Sequence, residues 1–170
     1  MFAEPEQNVK QFKLRDDAVV ADLGAGAGWY SFAAARACPR GKVYAVDVQK
    51  ELLEKIKAEA LREHLFNLET IWGDIERIGG TKLANNAVDA VIVANVFFQV
   101  PDKQAAVAEI DRILSSRGRV LIIDWVESLP GGLPPVSRAA MQDLFYARGF
   151  TVEGEIATGP HHYGIIFRKP

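Results

Sequence analysis

Short apolar runs alternate with amphipathic ones along the whole chain. Residues 18–23 (AVVADL) are a short, β-branched run ending at a glycine cluster, the pattern of a strand buried on both faces. Residues 29–38 (WYSFAAARAC) are rich in alanine and closed by Pro39 and Gly41, which predicts a helix. A second strand is expected at 42–47 (KVYAVD) and a second helix at 50–64, with Leu52, Leu53, Ile56, Ala60 and Leu61 on one face. The alternation continues with a strand at 68–72, a polar connection through Gly79 and Gly80, and the most apolar strand at 88–94 (VDAVIVA). Past Pro101, Asp102 is placed to cap a helix with a face of Val107, Ile110, Ile113 and Leu114, stopped by Gly118. A fifth strand at 119–124 (RVLIID) is followed by a loop holding Pro130, Gly131, Gly132, Pro134 and Pro135, then by a helix near 138–148 with Ser137 as cap.

The end of the chain breaks the rhythm. Strands at 151–156 and 163–167 are separated by only ATGPHH, too short for a helical crossover, so they run antiparallel. The expected fold is therefore α/β: an open, doubly wound, mostly parallel seven-stranded sheet with helices on both faces and a reversed last strand. At 170 residues the chain is expected to be a single domain, residues 1–170, with little or no N-terminal cap before the first strand. Ligands of such sheets bind beyond the carboxyl ends of the parallel strands.

The first strand delivers Asp22-Leu-Gly24-Ala25-Gly26-Ala27-Gly28 to that edge. Glycines let the backbone approach a ligand closely, and the following helix offers free N–H groups. The second strand ends in Asp47, about where an acid bonds ribose hydroxyls in nucleotide-binding βαβ units, each such bond being worth on the order of 1.5–3 kcal/mol. A dinucleotide site has a third glycine where Trp29 stands, and the indole disfavours a pyrophosphate there.

Asp22 with GxGxG resembles the first motif of the class I S-adenosylmethionine-dependent methyltransferases, and the resemblance runs in order along nearly the whole chain. VYAVD with Asp47 looks like the ribose-binding acid of that family, and Trp72-Gly-Asp74-Ile75 like the pair that holds the adenine amino group. Residues 88–95 (VDAVIVAN) resemble its fourth strand, and residues 114–124 (LSSRGRVLIID) its helix, glycine and fifth strand. Gly149-Phe150 and the terminal hairpin also fit, and the small-molecule branch, similar to the ubiquinone and menaquinone C-methyltransferases, is the nearest in flavour.

The resemblance implies a Rossmann-like methyltransferase using S-adenosylmethionine, with a small-molecule acceptor. It implies that Gly24, Ala25, Gly26 and Gly28 run beside the methionine portion, with Asp22 ordering the loop or meeting the ammonium group and Tyr30 nearby. Asp47 would take the ribose diol, Val48 would pack on adenine, Asp74 and the Ile75 N–H would read its polar edge, and Asn95 would face the amino-acid portion or the acceptor. Asn95-Val-Phe-Phe replaces the Pro-Pro-aromatic signature of the DNA- and glutamine-methylating branches, which are disfavoured, and a lone cysteine disfavours arsenic methylation by thiol relay.

His161 and His162, in the hairpin connection, are the candidate catalytic residues, since the sixth strand ends at the active edge and imidazole titrates near neutrality. Aromatic residues Trp29, Tyr30, Phe97, Phe98 and Trp125 lie just beyond strand ends, and residues 127–136 form a candidate partial lid. Twenty basic and 22 acidic residues give a formal charge of −2, which offers no bulk attraction to nucleic acid. One cysteine and three histidines show no metal-ligand spacing, and no signal peptide or membrane span is apparent, which favours the cytoplasm. A homodimer or a partner covering the open active site fits the missing cap. Two other classes stay open: an NAD(P)-binding oxidoreductase and a noncatalytic cofactor-binding subunit that needs a partner.

Overall fold

The computed structural model describes residues 4–128 and 132–170. Among them, strands β1 (Val19–Leu23), β2 (Lys42–Asp47), β3 (Leu68–Trp72), β4 (Val88–Ala94), β5 (Leu114–Trp125), β6 (Thr151–Ile156) and β7 (His162–Arg168) make one sheet in the order β3-β2-β1-β4-β5-β7-β6. β1 to β5 pair in parallel, whereas β7 runs antiparallel to both β5 and β6. β6 therefore points the same way as β1 to β5, and the β6–β7 turn falls at the carboxyl edge.

Five helices are described: α1 (Pro5–Phe12), α2 (Trp29–Ala37), α3 (Lys50–Arg62), α4 (Lys103–Ile113) and α5 (Arg138–Tyr146). The two-residue period of the strands divides their side chains between two helical layers. Val20, Ile92, Leu121 and Ile166 meet Val9, Phe12 and Ala34 on the α1–α2 side. Ala21, Val91, Val93 and Ile122 meet Val107, Ile110, Met141 and Phe145 on the α4–α5 side. Asp102 and Ser137 cap α4 and α5 as expected, accepting from the Ala105 and Ala140 N–H groups at 2.9 and 3.2 Å.

Besides ends of α3 and α5 that fall two residues early, at Arg62 and Tyr146, three features differ from the sequence reading. Helix α1 was not foreseen. It buries only Val9 and Phe12 as apolar residues and is held largely by polar contacts: Asn8 donates to the Tyr30 hydroxyl at 2.9 Å, and the Gln11 amide exchanges two 2.9 Å bonds with the Ala157 backbone. Helix α4 stops at Ile113 rather than Gly118, because Leu114 pairs with Val88 in the sheet and Arg117 takes a left-handed turn (φ 60°) before the apolar run begins. β7 begins at His162, one residue early, pairing with Trp125. Of the expected lid at 127–136, residues 129–131 lie outside the described part. Among the described residues no helix is long and apolar enough to cross a membrane.

Candidate active site

The loop after β1 is fastened to β2: the Gly24 and Ala25 N–H groups both donate to the Val46 carbonyl, at 2.8 and 3.0 Å. Gly24 and Gly26 both have left-handed backbones (φ 72° and 55°) but face different surroundings. A Cβ on Gly24 would stand 2.5 Å from Val96, so this glycine lets β1 pack on the residue after Asn95. A Cβ on Gly26 would meet only the Gly24 carbonyl, at 3.9 Å, so the loop there borders open space. Gly28 is pressed against Ile56 of α3.

Asp47 sits between that loop and α3. One carboxylate oxygen takes the Gly26 N–H at 2.8 Å and the other takes the Gln49 N–H at 2.9 Å. An ionised carboxylate offers about four acceptor positions, so two fixed bonds orient the group and leave capacity for two hydroxyls. Val48 is 58% exposed beside it, an apolar surface at the rim. The Trp72 indole, 52% exposed, donates to the Val48 carbonyl and carries the Lys50 and Lys82 ammonium groups at 3.9 and 4.7 Å from its ring centre.

The next loop is tied to the first, Gly73 N–H donating to the Asp47 carbonyl at 3.1 Å. Asp74 accepts from the Glu76 N–H at 2.9 Å and pairs with Arg77 at 3.3 Å, while Ile75 is buried in the core behind it. Asn95 has a left-handed backbone (φ 59°), donates its N–H to the Ile123 carbonyl, and holds a buried side-chain oxygen without a partner. Asp22 is buried under the glycine loop and takes the Ser31 hydroxyl at 2.5 Å. Burial, reinforced by the Asp47 charge, pushes its carboxyl up to about 7.

Tyr30 is turned under α1. Its hydroxyl is bonded by Asn8, and burial pushes it up to about 12. The two histidines part company: His161 is exposed and contributes its carbonyl to the Val126 N–H, whereas His162 is buried in β7 with its ring on Trp125, centroids 4.0 Å apart. Asp124, near the end of β5, escaped the sequence reading. It is fully buried, one oxygen lacks a partner, and burial pushes it up to about 6 against the pull of the Trp125 N–H. An acid closing an apolar strand, the feature that marked Asp22 and Asp47, was the available signal.

A groove of about 1000 Å³ runs between α4 and α5 past Phe98, Val100, Leu133, Leu144 and Arg148. No residue of the glycine loop lines it. Among the described residues no group of three or more His, Cys, Asp or Glu side chains could hold a metal ion.

A model of the methyltransferase domain family matches residues 14–164. The chain belongs to this family. Over 112 residues, 65% of its length, it is 35% identical to the arsenite methyltransferase of Halobacterium salinarum, covering 28% of that protein. Over 118 residues, 69% of its length, it is 28% identical to the ubiquinone/menaquinone biosynthesis C-methyltransferase UbiE of Burkholderia vietnamiensis, covering 47% of that protein. The chain thus spans less than half the length of these two relatives. Its fold superposes on a SAM dependent methyltransferase from Aquifex aeolicus with a TM-score of 0.85 and 26% identity, covering 98% of this chain and 90% of the other.

The cofactor of this methyltransferase family is S-adenosylmethionine, and the edge residues suit it. Open space at Gly26, an oriented Asp47 carboxylate, exposed Val48 and the unpartnered Asn95 oxygen are acceptors and apolar surface for a ligand rich in donors and positive charge.

Proposed function

We propose that the protein transfers a methyl group from S-adenosylmethionine to a small-molecule acceptor at the carboxyl edge of the sheet. The observation that carries this reading is the Asp47 carboxylate, held by the Gly26 and Gln49 N–H groups beside a loop that opens onto free space at Gly26. When bound, S-adenosylmethionine supplies a methyl group on a positively charged sulfur. Asp47 would accept the ribose hydroxyls and Val48 would support adenine, with Asp74 and the Ile75 N–H at its polar edge. Asp22 and Asn95 would face the ammonium end, beside Gly24, Ala25, Gly26 and Gly28. Tyr30 would act from below, by holding α1 against α2. Because in-line displacement at a sulfonium is limited mainly by alignment, these residues contribute chiefly by placing the reactants in near-attack geometry.

The similarity to an arsenite methyltransferase does not supply an acceptor. Cys38 is the only cysteine, it is buried, and burial pushes its thiol up to about 11, so it offers no thiolate near neutral pH. We assign the protein to the cytoplasm, a compartment with which a chain holding one cysteine is compatible. A second copy or partner chain over the acceptor side is favoured by the exposure of Val126, directly after β5. Thermal-shift titration with S-adenosylhomocysteine, NAD and NADP tests the reading: stabilisation by the first alone is expected, and stabilisation by a dinucleotide instead would replace the methyltransferase with an oxidoreductase.

A further inference from the structure

Among the described residues, the buried side-chain oxygens and nitrogens that lack a hydrogen-bond partner belong to Asn95, Asp124 and His162. All three stand at one edge. Asn95 follows β4, Asp124 precedes the last residue of β5, and His162 opens β7, whose neighbour is β5. Adjacent strands are about 4.8 Å apart, so the three residues fall within about 10 Å, the span of one small ring compound. Asp124 and His162 leave the sheet on opposite faces, with Tyr163 on the α4–α5 side, so a ligand reaches both only from beyond the strand ends.

His162 is the most demanding of the three. Both its ring nitrogens lack partners, although the residue is only 4% exposed. Burial, with the neighbouring His161 charge, holds its pKa below the usual histidine range, so the ring is neutral at pH 7. A neutral imidazole has one donor and one acceptor nitrogen, and leaving both unmade is a standing cost in the free protein. The Thr158 hydroxyl is directed at the His162 carbonyl, at 2.8 Å, and the Trp125 ring lies over the imidazole without supplying a hydrogen bond to it.

We propose that His162 is the acceptor-side catalytic base of the methyltransferase site, and that its substrate carries a hydroxyl on an aromatic ring. The proposal rests on the methyl-transfer reading above. A hydroxyl both donates and accepts, which matches one orphaned imidazole. Proton affinity selects the kind of hydroxyl: a phenol near pKa 10 lies more than about three pKa units above this lowered imidazole, whereas a hydroxyl resembling water, near 15.7, lies more than about nine above it. Trp125, whose ring lies on the imidazole, also shares the wall of a small cavity with Phe98, so aromatic surface continues outward from the His162 ring. Both nitrogens are buried beside the Trp125 ring, so that ring must be displaced when the acceptor binds. The hydroxyl proton then passes to an imidazole nitrogen as the oxygen–carbon bond forms; the carbon–sulfur bond breaks with its electron pair kept by sulfur, and the imidazolium later yields its proton to water.

The test is ¹⁵N–¹H NMR of the histidine rings in the full chain saturated with S-adenosylhomocysteine, with catechol and 2-naphthol as probes. His162 is expected to be a singly protonated ring at pH 7 whose nitrogens shift on addition of a probe, while His161 does not. His162→Phe, which keeps a ring on Trp125, is expected to bind S-adenosylhomocysteine normally and the probes at least tenfold more weakly; His161→Ala is expected to change neither. His162→Gln serves the same comparison if the Phe variant does not fold. Normal S-adenosylhomocysteine binding with a His162 ring indifferent to both probes overturns this inference alone. Failure to bind S-adenosylhomocysteine overturns the methyltransferase reading, and the role of His162 with it.

Discussion

Asp22 ties the stability of the fold to pH and, in the proposed function, to ligand binding. Its pKa is raised from 3.8 to about 7 by burial first, with the Asp47 charge adding to it and the Ser31 hydroxyl opposing it. The native state therefore keeps a proton that the unfolded chain releases above about pH 4, and stability falls as pH rises from about 4 to about 7, then levels off. Three pKa units correspond to on the order of 4 kcal/mol. Asp22→Asn removes the ionisation and is expected to raise the urea midpoint at pH 8 with little change at pH 4.5, while weakening S-adenosylhomocysteine binding at pH 8. Urea curves at the two pH values check it; a lower midpoint at pH 8 would mean the ionised carboxylate supports the fold.

The two loop glycines separate by the same kind of measurement. Gly24→Ala combines a left-handed backbone with a 2.5 Å approach to Val96, and overpacking plus backbone strain predicts a loss of about 2–4 kcal/mol. Gly26→Ala carries only the backbone strain, about 1–2 kcal/mol, and places its methyl group in the open space beside Asp47. The expected pattern is a large stability loss for the first and a disproportionate loss of cofactor affinity for the second, from denaturation and calorimetry together. Sequence alone gave these two positions one role, because the neighbour that distinguishes them, Val96, is 72 residues away along the chain.

Among the elements, the β3–β4 connection depends on a single buried acid. Glu109 of α4 accepts from the Gly79 N–H at 2.7 Å, from the Thr81 N–H and hydroxyl at 3.1 and 2.5 Å, and from Arg112 at 2.8 Å. Burial alone would raise its pKa, but these bonds outweigh it and hold the carboxyl below its ordinary range. The Asp74 N–H, in turn, donates to the Gly80 carbonyl of that connection. Glu109→Ala strands the mostly buried Arg112 guanidinium and is expected to cost about 3 kcal/mol or more. It should also weaken cofactor binding through the Asp74 loop; calorimetry at a temperature where the variant is folded separates the two effects, and unchanged affinity would detach that loop from the site. β2, β3, β4 and β6 were legible at both ends because each is a short run bounded by polar or turn residues. α1 was not, since PEQNVKQF has only two apolar residues and is fixed by Tyr30 and Ala157, far along the chain. Leu114 joined a strand instead of a helix for a similar reason: its partner, Val88, is a tertiary fact.

For the whole molecule, parallel winding brings the strand-end residues of β1, β2 and β4 to one edge, and reversal of β7 brings His162 to the same edge. The residues proposed for the cofactor stand at strand ends in a motif order that the sequence displays, and His162 was a candidate from the topology of the hairpin. What the sequence did not display is the burial of His162 and Asp124, which depends on what packs around them and on the pairing of Trp125 with β7. The central claim, that this edge holds S-adenosylmethionine, is tested most directly by isothermal titration calorimetry of the protein and of Asp47→Ala with S-adenosylhomocysteine. One site per chain is expected, with affinity at least tenfold lower in the variant, a difference of about 1.4 kcal/mol or more, and an unaltered circular dichroism spectrum. No binding by the wild-type chain, or equal affinity in the variant, would contradict the account.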